Sequence, residues 1–204
     1  MKDGKSLAMS MRELDAFKKI DGEWKIVQQH ISLPVDQKAG MAILDGAGPP
    51  RGAITWSTNP LPGPASTPAE AKQAIRKWME VGGVSTSLDM MMGFYGPGDD
   101  ILVYDSYPSN MRGQKEVRDY FGAIMGSFTD PRIEMPEFVV DSDGLFGVQL
   151  DTQHLSLKLK NGATMKLALR QSDCMRKSGD RWYSFLEHLS FVIDPKTGKS
   201  LSTY

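Results

Sequence analysis

The chain repeats itself at a fixed offset. Displaced by 158 residues, so that Lys2 falls on Lys160, residues 1–36 lie on residues 159–194 without a gap. Gly4/Gly162, Arg12/Arg170, Asp15/Asp173, Trp24/Trp182, His30/His188 and Ser32/Ser190 are identical pairs. This repeat constrains the fold more than any other feature, because both copies must be the same supersecondary unit. Each reads as two strands joined by a turn. Apolar residues alternate through Met9 and Met11, or Leu167 and Leu169; a polar turn follows at Asp21-Gly22 or Ser178-Gly179-Asp180, then a second alternating strand. Each copy also opens on Asp3-Gly4 or Asn161-Gly162, dipeptides that favour tight hairpin turns. The first copy has no helices before it, so residues 1–36 read as the C-terminal hairpin of a truncated first domain.

Between the copies the composition changes. Pro49, Pro50, Pro60, Pro62 and Pro64, interleaved with glycines, mark residues 37–66 as a linker, since proline fixes φ and withdraws a backbone donor. A complete domain then occupies residues 67–204. Thr67, Pro68 and Glu70 form a helix-start signature, Ala71, Ile75, Trp78 and Met79 recur at helical spacing, and Gly82-Gly83 supplies a stop. The pattern predicts a shorter helix over Ser87–Phe94, a strand at Ile101–Asp105, and a third helix from Gly113 to Ser127. Four strands follow, near Glu134–Asp141, Leu145–Leu157, Thr164–Cys174 and Trp182–Ile193. Helices first and strands last make an α+β domain, a curved antiparallel sheet wrapped on its N-terminal helices.

Composition removes several function classes. With 24 basic and 25 acidic side chains the formal net charge is -1, which offers no broad field for nucleic acid or an anionic membrane. The lone Cys174 excludes an internal disulfide framework and reads as a half-buried strand residue. No apolar run approaches a membrane span and the first residues lack the apolar segment of a signal peptide, so the expected location is the cytoplasm. Phosphate-cradling, dinucleotide, hydrolase and zinc-protease motifs are absent, and three histidines make a multi-histidine metal site improbable; neither cofactor nor metal is expected.

Two segments carry a family resemblance: FYGPGDDILVYDSYPSNMRGQKEVRDYF at Phe94–Phe121 and LRQSDCMRKSGDRWYSFLEHLSF at Leu169–Phe191. The chain resembles the ketosteroid isomerase, SnoaL-like and nuclear-transport-factor-2-like superfamily. Its closing hairpin also resembles the calcium/calmodulin-dependent kinase association domain. The resemblance implies an open cone enclosing an apolar pocket for a small, flat hydrophobic molecule, and a homodimer built on the sheet's outer face. By the alignment of Val103-Tyr104-Asp105 with the ketosteroid isomerase base segment, it also implies that Asp105 stands where a carboxylate moves a proton next to a carbonyl. The handed-down oxyanion donors do not carry over cleanly: Trp78 stands near the hydroxyl position and its indole N–H is a poor substitute.

The residues themselves leave alternatives open. Asp105 can be a base or the cap of the turn Ser106–Ser109. On an alternating strand His188 shares a face with Trp182, Ser184, Leu186 and Ser190, where it either serves acid/base chemistry in the cone or is a satisfied sheet histidine. Arg170 either binds a carboxylate or makes a cross-strand ion pair. Tyr95, Tyr104, Trp182 and Ser190 are the remaining candidate pocket residues, beside Trp78 and Arg170. Two functions follow: a cofactor-independent isomerase, cyclase or lyase using Asp105 or His188, or a non-catalytic ligand-binding or homo-oligomerising module. In either, residues 1–36 expose unpaired edges and are expected to augment a neighbouring subunit's sheet or exchange between chains.

Overall fold

The computed structural model describes residues 8–44, 64–82, 85–107 and 110–203. Helix α1 (Pro68–Gly82) begins at the capping box. Thr67 N–H donates to Glu70 Oε2 at 2.8 Å and Glu70 N–H to Thr67 Oγ1 at 3.3 Å, so each residue satisfies an amide the helix leaves unpaired. Its stripe of Ala71, Ile75 and Met79 is buried. Gly83, the second half of the expected stop, lies outside the described residues. Helix α2 (Leu88–Met92) is capped by Ser87, whose side chain accepts from Met90 N–H, and helix α3 (Gly113–Met125) buries Val117, Phe121 and Met125.

These helices cover one face of a six-stranded sheet with the order β4-β3-β8-β7-β6-β5. Its strands are β3 (Leu102–Tyr104), β4 (Asn110–Arg112), β5 (Phe128–Ser142), β6 (Phe146–Leu159), β7 (Thr164–Ser178) and β8 (Arg181–Ser190). All neighbours run antiparallel except β3 and β8, which are parallel. β5 begins at Phe128, earlier than its prolines suggest. Pro131 and Pro136 fall inside its two register shifts, and β5 is the outermost strand, where a missing N–H breaks no ladder. Gly144 makes the β5–β6 turn at φ +95°, and a Cβ there would lie 2.2 Å from the Ser66 carbonyl oxygen, so the approach to α1 requires glycine.

Among the described residues, strands β1 (Arg12–Ile20) and β2 (Glu23–Ser32) pair only with each other. Asp21 and Gly22 both have positive φ, 52° and 85°, as a type I′ turn demands. At the offset of the repeat the two hairpins share one register: Leu14 faces His30 as Ser172 faces His188, and a bulge follows Ala16 as one follows Cys174. The hairpin lies face-on against the outer surface of β7 and β8. Arg12, Leu14, Ala16, His30 and Ser32 are buried there, while Phe17 and Trp24 on its other face are 56% and 68% exposed.

Beyond β2 the chain crosses the end of the cone. Val35, 1% exposed, packs with Leu169 and Phe191, and bridges join Val35 to Ala42 and Met41 to Lys199 beside β9 (Val192–Ile193) and β10 (Ser200–Leu201). The start of the expected linker is thus held in place; residues 45–63 lie outside the described residues. No helix among the described residues is long and apolar enough to cross a membrane.

Candidate functional site

Between the helices and the inner face of the sheet is a cavity of about 430 Å³, within the range of small-molecule sites. Met79, Phe121, Leu157, Leu169 and Phe191 contribute apolar wall, and Asp105, Tyr95, Gln171 and Glu187 are among its polar groups.

Asp105 sits just past β3 and is 8% exposed. Its Oδ1 accepts from Ser106 Oγ at 3.0 Å and from Tyr107 N–H at 3.1 Å, and its Oδ2 accepts from Tyr120 O–H at 2.8 Å. A carboxylate has about four acceptor sites, and three are filled here. Asp105 therefore both bonds the residues that follow it and lines the cavity, a position compatible with either sequence alternative. The loop is gripped from outside the cone as well. Arg12 donates from Nη1 to the Asp105 carbonyl and from Nη2 to the Tyr107 carbonyl at 2.9 Å, and Val35 N–H donates to the Ser106 carbonyl at 3.1 Å.

Glu187, which the sequence reading left unassigned, is the second cavity acid. Its Oε2 accepts from Tyr95 O–H at 3.0 Å and from Gln171 Nε2 at 3.3 Å. Burial first, then the Asp173 charge, pushes its carboxyl well above the usual range, which favours its protonated form. Asp173 lies behind it, bound by Gln149 Nε2 at 2.6 Å, Gln171 Nε2 at 2.7 Å and Ser184 Oγ at 2.8 Å, with burial raising it to about 6. Asp151 is raised to about 8 by burial and then by Asp173. The cone thus holds three buried acids, Asp151, Asp173 and Glu187, whose carboxyls burial raises.

The expected site residues divide between the two faces of the sheet. Asp105, Trp78 and Tyr95 line the cavity. Trp182 is inside the cone but in the packed core, 1% exposed, and not on the cavity wall. His188, Ser190, Arg170 and Tyr104 are on the outer side, against the hairpin. The expectation that His188 shares a face with Trp182 fails for a definite reason. Cys174 pairs with Leu186 but Met175 pairs with Ser184, so Phe185 is an extra residue in β8 and the alternation changes phase there. Beyond the bulge Glu187, Leu189 and Phe191 point inward and His188 and Ser190 outward. His188 stacks on His30 with ring centroids 3.8 Å apart and planes 10° apart. Each imidazole Nε2 meets the serine of the other hairpin, His30 with Ser190 at 2.8 Å and His188 with Ser32 at 2.6 Å. Burial lowers both histidines, His30 to about 4, so both are neutral. Arg12 and His188 lie against the Tyr104 ring at 5.6 and 5.5 Å. Cys174 is half-buried, and burial pushes its thiol to about 12, which makes it a poor nucleophile.

Residues 71–194, over half of the chain, match the SnoaL-like domain family model. Solved structures show the same fold at low identity. An NTF2-like protein of unknown function from Pseudomonas putida KT2440 is 21% identical, with a TM-score of 0.55 over 69% of this chain and 99% of that one. A Streptomyces avermitilis protein provisionally named a dehydratase of the NTF2-like family is 13% identical, with a TM-score of 0.55 over 63% and 100%. A Xanthomonas campestris protein provisionally named a calcium/calmodulin dependent protein kinase II association domain is 16% identical, with a TM-score of 0.52 over 67% and 96%. A comparison with curated proteins returned no match. Folded as an NTF2-like cone and matched over residues 71–194, this chain belongs to the SnoaL-like domain family.

Proposed function

We propose that the cone binds a small, flat, largely apolar carbonyl compound and moves a proton on it without a cofactor, as an isomerase, cyclase or lyase. The observation that carries this reading is that two carboxyl groups, Asp105 and Glu187, line the same largely apolar cavity, burial raising Glu187 well above the usual range. The one acceptor site left on Asp105 Oδ2 is where a proton taken from the carbon next to the carbonyl would land. Charge developing on the carbonyl oxygen would be met by the Glu187 O–H, a donor that costs nothing to reorganise because Tyr95 and Gln171 already hold its other oxygen.

The test is deuterium exchange on 2-tetralone, a two-ring ketone of suitable size, followed by proton NMR in D₂O. Wild-type protein should speed exchange next to the carbonyl, and Asp105→Asn should remove about a hundredfold or more of that gain. Exchange at the buffer rate with wild type, or full activity in Asp105→Asn, rejects proton transfer at this site.

The hairpin contact favours a second reading, a non-catalytic binding and assembly module. The reciprocal His30/Ser190 and His188/Ser32 pairs have the form of a two-fold contact made within one chain. The same contact made between chains would exchange residues 1–36 in a homodimer. Mass in solution, measured across protein concentration, separates the two: a concentration-independent monomer excludes exchange.

A further inference from the structure

The SnoaL-like match begins at residue 71, yet the loop bearing Asp105 is held from residues 12 and 35. Three consecutive carbonyls, those of Asp105, Ser106 and Tyr107, accept hydrogen bonds from Arg12, Val35 and Arg12 in turn. The same loop supplies two of the three donors to the Asp105 carboxylate, Ser106 Oγ and Tyr107 N–H. Anything that moves this backbone moves both donors and the carboxylate together.

The guanidinium is suited to the task. It is planar and delocalised, so two of its N–H groups can reach carbonyls two residues apart, and Arg12 is only 3% exposed between the hairpin and Tyr104. Burying it costs desolvation, which lowers its pKa and which the Asp105 charge opposes in part. Arg170, its counterpart in the repeat, provides an internal control. Both arginines bury an Nε without a hydrogen-bond partner, but among the described residues only the Arg12 Nη groups reach loop carbonyls. Each arginine pairs with the corresponding serine in register, Arg12 with Ser32 and Arg170 with Ser190, so their local sheet surroundings match while their acceptors do not.

We propose that Arg12 is a positioning residue for Asp105, by which a hairpin outside the family match sets the cavity's carboxylate. This rests on the proton-transfer reading for its functional meaning, though the clamp itself can be read without any substrate. The hairpin thereby becomes part of the site, and the functional unit runs from Arg12 to Phe191 rather than over the matched segment alone.

The experiment uses the full chain labelled with ¹³C at aspartate, titrating the Asp105 carboxyl by NMR in wild type, Arg12→Met, Arg12→Lys and Arg170→Met, with 2-tetralone exchange measured on the same samples. Losing the guanidinium removes a nearby positive charge and frees the two loop donors, so Arg12→Met should raise the Asp105 midpoint by about one pH unit. It should also lower 2-tetralone exchange about tenfold, as a misplaced reacting group does. Arg12→Lys keeps the charge and one donor and should fall between, and Arg170→Met should leave both readouts at wild-type values. An unchanged midpoint in both Arg12 variants overturns the proposal, as does an equal shift in Arg170→Met, since that would be a generic effect of loosening the hairpin. If Arg12→Met fails to fold, Arg12→Lys against Arg170→Met decides it on the same criteria. Wild type that leaves 2-tetralone unexchanged sinks the proton-transfer reading alone, because the titration still decides the clamp.

Discussion

Asp151 is 1% exposed and holds a proton at neutral pH, with a carboxyl raised from 3.8 to about 8. Its Oδ1 and the Oε1 of its neighbour Gln149 are both buried acceptors without a donor; a proton on Asp151 supplies one. The consequence for stability has a definite sign. The unfolded chain releases this proton near pH 4 and the folded chain near pH 8, so the folded state binds more protons between them. Stability from this group is complete below about pH 4, declines as pH rises, and levels off above about pH 8. Asp151→Asn keeps the shape, carries its own N–H donors and cannot ionise. At pH 8 it should melt several degrees above the parent, with the two converging toward pH 4. Calorimetry at both pH values checks this, and a variant as pH-sensitive as the parent, or less stable at pH 8, rejects the assignment.

Among elements, β8 separates what could be read in the sequence from what could not. The alternation of Trp182, Ser184, His188 and Ser190 is real along the chain, but the bulge at Phe185 turns the second half of the strand over. Neither glycine nor proline marks the spot, so His188 was legible as a residue with a place in the fold and illegible as an outward one. Glu187 was hidden by the same half-turn. Helix α1 was legible to its first residue because Thr67, Pro68 and Glu70 are local chemistry, whereas the start of β5 at Phe128 depended on that strand being outermost, which only the assembled sheet decides. The repeat predicts one further contrast between elements. Trp182 on β8 and Trp24 on β2 are the same residue of the repeat, but 1% and 68% exposed. Trp182→Ala should cost about 3–5 kcal/mol by emptying a packed core site, and Trp24→Ala within about 0.5 kcal/mol. Urea unfolding of the two variants measures the difference; a large loss for Trp24→Ala means that face is covered in solution.

At the scale of the whole molecule, hairpin and cone are joined through a contact that acid should open. His30 on β2 stacks on His188 on β8, and the groups facing them from the surrounding elements are Arg12 on β1, Tyr104 on β3, and Ser172 and Arg170 on β7. Among the described residues two arginines and no carboxylate face the pair, so either imidazolium is opposed by burial and by like charge. The folded pKa of both histidines lies below the unfolded value of 6.5. Their contribution is therefore complete above about pH 6.5 and is lost as pH falls toward the His30 value of about 4. Asp151 acts in the opposite direction over this range, so a global melting curve mixes the two and a local measurement is needed. Amide hydrogen exchange, corrected for its intrinsic pH dependence, should show β1 and β2 losing protection between pH 7 and pH 5 while β6 and β7 keep theirs. His30→Gln should weaken that dependence, since glutamine can still bond Ser190 without taking a proton. Equal losses in both strand pairs would mean that the sheet opens as one body and that the histidine pair does not govern docking. A selective loss would carry Arg12 away from the Asp105 loop at the same pH, and in the proton-transfer reading exchange on 2-tetralone should fall with it.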